Sequence, residues 1–191
     1  MGFRIIFTME VVGSIIARLG SKRLHYKNLL PFGGVPMLGL GIQKLKQSKR
    51  VTKIVVSTES ELVARIARDF DVIILQRPQS LAEDNVPSIP VFQHILQHYP
   101  ADVHVNLNIN FALCDYRVID RAVDIAVEQG EALSQPYAVW AQRADRLMHY
   151  GDFLKLPEPF ADDRAGQIDI HTEKDWLESL RIAQGPLKNW E

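Results

Sequence analysis

The chain has 191 residues, 47% apolar and 24% charged, with 22 Lys and Arg against 23 Asp and Glu for a net charge of −1. This length suits one domain, residues 1–191, with a sizeable core. The balanced, interspersed charge excludes a general nucleic-acid binder, which needs a basic excess, but leaves room for a small anionic ligand held by local charge. The single cysteine, Cys114, excludes an internal disulfide and fits a reducing compartment. The amino-terminal stretch is interrupted by Arg4 and Glu10 and lacks a small-residue cleavage pattern, so no signal peptide is expected. No apolar run approaches the ~20 residues of a membrane span, so the expectation is a cytoplasmic protein with no membrane partner.

Residues 11–17 read as a buried strand, and 36–47, with Met37, Leu38, Leu40, Ile42 and Leu45, as a helix. The β-branched run 52–57 is a predicted strand, and 59–70 places Leu62, Val63, Ile66, Ala67 and Phe70 on one helical face. A short strand at 72–75 stops before Pro78. Residues 88–99 form a predicted helix with Pro90 in its first turn. A strand at 103–109 precedes a helix at 116–129 whose inward face carries Val118, Ile119, Ala122, Val123, Ile125 and Ala126. Residues 133–140 read as one strand, 151–166 as a loop and 168–170 as a short strand. A closing helix over 172–183 starts with Thr172 and Asp175 at capping-box spacing. This alternation implies a three-layer α/β/α domain with a mostly parallel sheet, in which ligands collect beyond the carboxyl ends of the strands.

The first strand empties at that edge into a loop holding Arg18, Gly20, Ser21, Lys22, Arg23 and Lys27. Gly20 would let the backbone turn sharply and approach a ligand. Ser21 and neighbouring N–H groups could form an anion nest. Arg18 can grip a phosphate through two parallel hydrogen bonds, and Lys27 supplies a compact mobile charge. Asn28 can donate to and accept from a base or ribose. Cationic loops are also common on surfaces, so residue types alone leave a solvated loop open. Neither a Walker loop nor Gly-x-Gly-x-x-Gly is present.

The stretch ARLGSKRLHYKNLLPFGGVPML resembles the opening of the sugar cytidylyltransferases, the CMP-sialic acid and CMP-KDO synthetases, which share a nucleotide-diphospho-sugar transferase-like fold. IVVSTESELVARIARDFDV, LQRPQSLAEDNVPSIPVFQHIL and IDIHTEKDWLESLRIA are similar to later segments of that family, in the same order. The resemblance implies transfer of a cytidylyl group from CTP to an acidic sugar, sialic acid-like or KDO-like, with release of pyrophosphate. Arg18 and Lys27 would hold the triphosphate as the catalytic pair. Gly20, Ser21, Lys22, Asn28, Arg77 and Asn108 would contact the nucleotide. Asp169 and His171 would hold Mg²⁺, with Mn²⁺ as the alternative. A homodimer is the implied assembly.

Three departures from the family pattern stand in the sequence. Asn108 replaces a glutamine, and Asn110 falls where the KDO branch carries a metal-binding carboxylate. His171 replaces the second aspartate of an Asp-x-Asp pair. The long insert that shapes the sugar pocket and a dimer contact is reduced to about 134–167. A second reading is therefore a non-catalytic nucleotide-binding or assembly protein on the same scaffold, and a third is a nucleotidyltransferase for another base. Elsewhere, His94 and His98 share a helix without the glutamate of a zinc protease motif and read as structural or surface groups. Cys114 reads as a small apolar residue. Asp84 reads as a helix-terminal charge or a cleft residue and Trp176 as core. Trp140 and Trp190 carry no signal, and Asp69, Asp71, Asp162 and Asp163 are expected in solvent.

Overall fold

A computed structural model describes residues 9–153 and 155–184. Trp190 and the first eight residues of the amino-terminal stretch lie outside that range. The strands are β1 (Val11–Ile16), β2 (Pro31–Phe32), β3 (Val35–Pro36), β4 (Lys53–Thr58), β5 (Ile73–Gln76), β6 (Val103–Leu107), β7 (Glu131–Gln135), β8 (Val139–Arg143) and β9 (Phe160–Ala161). The helices are α1 (Met37–Gln47), α2 (Glu61–Arg68), α3 (Ser88–His98), α4 (Tyr116–Gln129), α5 (Ala144–Met148) and α6 (Glu173–Gln184).

The main sheet has seven strands in the order β5-β4-β1-β6-β8-β7-β9. Pairings β5–β4, β4–β1, β1–β6 and β7–β9 are parallel, and only β6–β8 and β8–β7 are antiparallel. Period-two alternation along the buried strands loads both faces. Val11 and Ile15 of β1 face a layer made by α1, α2 and α4, whereas Val12 faces α3 and α5. From β1 the chain builds outward through β4 and β5, then returns to lay β6 on the other side of β1. That reversal leaves a crevice between the carboxyl ends of β1 and β6, the place where open α/β sheets bind ligands.

Local signals account for most element ends. Ser60 accepts from the Val63 N–H at the start of α2, and Asp115 accepts from the Arg117 N–H at the start of α4. Gly130, at φ 91, closes α4 in the left-handed conformation that glycine adopts most readily. The capping box at α6 is formed: Asp175 Oδ2 accepts from Thr172 N at 2.8 Å, and Asp175 N donates to Thr172 Oγ1 at 3.3 Å.

Several expectations are corrected. The predicted strand over 133–140 is the β7–β8 hairpin, because Pro136 cannot donate to a ladder. Ser134 Oγ organises the turn, accepting from Ala138 N at 3.2 Å and Val139 N at 3.0 Å. Residues 168–170 form no strand; Ile170 N donates once, to Asn110 O at 3.0 Å. The expected loop over 151–166 contains β9 and a 3₁₀ turn (Asp163–Ala165). The β2–β3 hairpin and α5 were too short for periodicity to reveal. Asp162 is buried rather than solvated, because it accepts from Arg121 Nη1 at 3.0 Å and from Arg164 Nη2 at 2.7 Å. Those hydrogen bonds, Arg164's foremost, hold its carboxyl well below the usual carboxylate range. Asp69, Asp71 and Asp163 are exposed as expected.

Gly41 of α1 links the core to the crevice. A Cβ there would sit 2.4 Å from Ile109 Cγ2 and 3.0 Å from Ile15 Cδ1. Gly41→Ala is therefore expected to cost about 1–3 kcal/mol through overpacking, checked by urea denaturation.

Candidate active site

The crevice opens as a cavity of about 670 Å³. One end is the loop after β1, contributing Arg18, Ser21, Lys22, Arg23, Lys27 and Asn28. The floor comes from the end of β6 and the turn beyond it, with Asn106, Asn108, Ile109 and Asn110. The far end is apolar and aromatic: Phe92 of α3, Leu133, Tyr137 and Trp140 of the β7–β8 hairpin, and Leu156.

The loop is held to the scaffold at several points. Leu19 N donates to Glu59 Oε1 at 2.9 Å, and Asn28 Nδ2 donates to Arg18 O at 2.8 Å. Tyr26, at φ 54, precedes the 3₁₀ turn Lys27–Leu29, in which Lys27 and Asn28 are buried. Lys27 Nζ donates to Ile170 O at 3.0 Å. Burial lowers the Lys27 ammonium from 10.5 to about 8; Asp169 opposes that shift, while Arg23 and Arg18 reinforce it. Four cations converge on one end of the cavity, and the chief anion facing them is Asp84, ion-paired with both Arg18 and Lys22. Hydrogen bonds from Lys22 first, then Arg18, lower the Asp84 carboxyl.

Of the residues singled out in the sequence, Arg18, Ser21, Lys22, Lys27, Asn28, Asn108 and His171 line this cavity. Three are placed differently. Gly20 is not among the lining residues; it does sit at the centre of a tight three-residue turn, closed by Ser21 N donating to Leu19 O at 2.9 Å, but its φ is outside the left-handed region and a built Cβ meets no atom within 4 Å. Arg77 is 5% exposed and lines a smaller neighbouring cavity of about 210 Å³ with Arg18 and Asp84. Its Nη2 donates to Glu59 Oε2 at 2.8 Å, so it touches the cation loop through Glu59. Asp169 is not a lining residue either; it pairs with His171 Nε2 at 2.9 Å. Asn28 and Asn108 do line the cavity, but their amides already hydrogen-bond within the protein. Asn108 Oδ1 accepts from Asn110 N at 3.1 Å, and its Nδ2 donates to Tyr137 O at 3.4 Å.

Sequence reasoning missed Asn106, Phe92 and Trp140. Trp140 Nε1 donates to Glu131 Oε1 at 2.9 Å, and Tyr150 donates to the same oxygen at 2.8 Å, which fixes the indole against the cavity. Strand alternation could have placed Asn106 and Trp140 on one face, but only the β6–β8 register sets them opposite each other. Cys114 is buried, and its thiol is pushed up to about 12 by burial. His98 Nδ1 lies 2.9 Å from His94 O, a local helix contact. Trp176 packs half-buried against the small cluster of Phe32, Met37, Ala112 and Ile170. Among the described residues no group of three or more His, Cys, Asp or Glu is arranged to hold a metal ion, and no helix is long and apolar enough to cross a membrane.

A doubly wound sheet whose switch-point crevice carries a cationic loop defines an α/β nucleotidyltransferase-like protein. The cytidylyltransferase family profile matches residues 12–176, so the chain belongs to the cytidylyltransferase family. It is 36% identical over 90 residues to an N-acylneuraminate cytidylyltransferase of Escherichia coli, covering 47% of this chain and 22% of that protein. It is 31% identical over 88 residues to the CMP-N,N'-diacetyllegionaminic acid synthase of Campylobacter jejuni, covering 46% of this chain and 37% of that one. The matched stretch thus spans well under half the length of either relative. Among solved structures, a cytidylyltransferase from Leptospira borgpetersenii superposes with a TM-score of 0.72 at 22% identity, over 96% of this chain and 91% of that one. A CMP:2-keto-3-deoxy-manno-octonic acid synthetase complexed with CTP gives 0.63 at 17% identity, over 92% and 86%. At these identities the structural likeness speaks to the fold.

Proposed function

We propose that the protein transfers a cytidylyl group from CTP to the hydroxyl of an acidic sugar, releasing pyrophosphate. The observation that carries this reading is the convergence of Arg18, Lys22, Arg23 and Lys27 on one end of a cavity at the β1–β6 switch point. Phosphoryl transfer needs mainly positioning and neutralisation of charge, and these residues supply both. The sugar hydroxyl oxygen bonds to the α-phosphorus as its proton passes to water, the bond from that phosphorus to the bridging oxygen breaks, and pyrophosphate leaves. Arg18 offers a planar fork to the phosphate tail, and Lys27, desolvated beside it, gives a point charge whose effect is little screened. The triphosphate takes over the role of Asp84 as counter-ion to Arg18 and Lys22. Residues 134–167, which contribute Tyr137, Ala138, Trp140 and Leu156 to the cavity, form the acceptor side.

Beside the loop, a divalent ion that arrives with the triphosphate would find one carboxylate, Asp169, and the imidazole of His171, which pair with each other in this structure. Mg²⁺ commonly takes one or two protein carboxylates and fills its shell with phosphate oxygens and water, so Asp169 would hold it, and His171 would favour Mn²⁺. When bound, the ion would supply further neutralisation of the phosphate oxygens.

The test is pyrophosphate release with each nucleoside triphosphate, Mg²⁺ or Mn²⁺, and a panel of acidic sugars. Release with CTP and one such sugar is expected. The amide of Asn110 and the Asp169–His171 pairing favour the second reading, a nucleotide-binding protein without transfer activity. CTP binding with no release in any combination would select it. Arg18→Ala is expected to weaken CTP binding by about 1.5–3 kcal/mol, the scale of a charge-assisted hydrogen bond, read by calorimetric titration.

A further inference from the structure

Beneath the cavity floor a row of polar side chains crosses the sheet from β8 to β1. The register sets His104 of β6 opposite Gln142 of β8, and Ser14 of β1 opposite Asn106 of β6, so all four project from one face. His104 Nδ1 lies 3.3 Å from Gln142 Oε1, His104 Nε2 lies 2.9 Å from Ser14 Oγ, and Ser14 Oγ lies 3.2 Å from Asn106 Oδ1. Gln142, His104 and Ser14 are 0% exposed, while Asn106 is 6% exposed and lines the cavity. The Phe92 ring covers His104 at 4.6 Å between centroids.

Proton counting gives the row a direction. Burial brings His104 down to about 4, so at neutral pH its ring carries one proton, and the Ser14 hydroxyl carries one. If Nδ1 holds the ring proton, it donates to Gln142 Oε1. Nε2 then accepts a hydrogen bond from the Ser14 hydroxyl, and Asn106 must turn its NH₂ toward Ser14. Both Gln142 amide hydrogens are then left without an acceptor, and Gln142 Nε2 is indeed buried with no partner in this placement. If Nε2 holds the proton, it donates to Ser14, Ser14 donates to Asn106 Oδ1, and a half-turn of the Gln142 amide lets its NH₂ donate to Nδ1. The second arrangement keeps the Ser14–Asn106 bond and leaves a buried carbonyl as the main orphan, which costs less than a wholly unpaired NH₂.

We infer that a relay running Gln142 to His104 to Ser14 holds the Asn106 amide with its NH₂ aimed into the cavity, as a fixed donor to an oxygen of the bound nucleotide. The ligand half of this inference rests on the nucleotide reading above. Asn106 stands opposite Ser14 of β1 on one side and Trp140 of β8 on the other, and lines the same cavity as the cations that follow β1. Asn106 is then a binding residue, and His104, Ser14 and Gln142 are positioning residues.

Nitrogen-15 spectra of histidine-labelled protein at neutral pH test the relay without any ligand. The His104 resonances, assigned with a His104→Asn variant, are expected to show Nε2 protonated and Nδ1 bare; the reverse tautomer overturns the relay. Adding CTP is expected to shift one side-chain N–H resonance of Asn106, and an unmoved resonance in CTP-bound protein overturns the contact. Asn106→Asp keeps shape and an acceptor for Ser14 but removes the donor, and is expected to fold while CTP affinity falls roughly ten-fold or more. Unchanged affinity overturns the assignment. Wild-type protein that binds no CTP at all would overturn the nucleotide reading and the ligand half together, while the tautomer would still decide the relay.

Discussion

Lys27→Met is expected to abolish cytidylyl transfer and weaken triphosphate binding by about 2–3 kcal/mol, or roughly 30- to 150-fold, while leaving the folded protein as stable as before or slightly more so. Opposite signs for function and stability follow from one physical fact. The Lys27 ammonium is largely desolvated, and burial pulls it from 10.5 to about 8. Below pH 8 the folded and unfolded chains both carry that proton, so the whole cost of burying the charge opposes folding. Between pH 8 and 10.5 the unfolded chain binds a proton that the folded chain has released, so stability rises with pH across that window. Lys44, also lowered to about 8 by burial, contributes to the same rise. The Lys27→Met protein should therefore keep only part of it. Against this gain stands the lost hydrogen bond from Nζ to Ile170 O. A phosphate tail lying against Lys27 favours the ammonium again, so CTP binding above pH 8 should take up protons. Calorimetry in buffers of different ionisation enthalpy measures that uptake, and denaturation at pH 7 and pH 10 measures the stability change.

The second large effect belongs to Glu59, which no motif marked. Glu59 joins a buried arginine to the cation loop, accepting from Arg77 Nη2 at 2.8 Å and from Leu19 N at 2.9 Å. The Arg77 and Glu59 side chains are only 4% and 14% exposed. Glu59→Leu strands a buried guanidinium and is expected to cost about 3–5 kcal/mol, the usual range for breaking a buried pair. The double change Glu59→Leu with Arg77→Met removes both charges and should recover most of that loss in urea denaturation. It should not recover CTP affinity, because the Leu19 N–H still lacks its acceptor and the loop carrying Arg18 and Lys22 loses its tether. If Arg77 instead contacted the nucleotide directly, Arg77→Met alone would depress CTP affinity as much as the double change does.

Much of this architecture was legible before any coordinates. The alternation of buried strands with amphipathic helices marked β1, β4, β5 and β6 and the helices α1 to α4, because period and burial are properties of short windows. α4 falls on its predicted limits, with Asp115 and Gly130 closing it. The cationic loop was legible too, since Arg18, Ser21, Lys22, Lys27 and Asn28 lie within a dozen residues after a strand. The β7–β8 hairpin was less legible, because an apolar run on both sides of Pro136 reads as continuous until the turn is seen. Ile168 and Ile170 likewise suggested a strand that no partner completes.

The sequence by itself determined the layered α/β class, the cationic turn at the end of the first strand and the family to which these stretches belong. Each follows from neighbours along the chain. Tertiary structure alone decided that Arg77 pairs with Glu59, that Asp84 pairs with Arg18 and Lys22, that Asp169 pairs with His171, and that Asn106 ends a hydrogen-bonded row reaching Gln142. Those relations join residues far apart in sequence, and they depend on strand order and register, which hydrophobic periodicity leaves open.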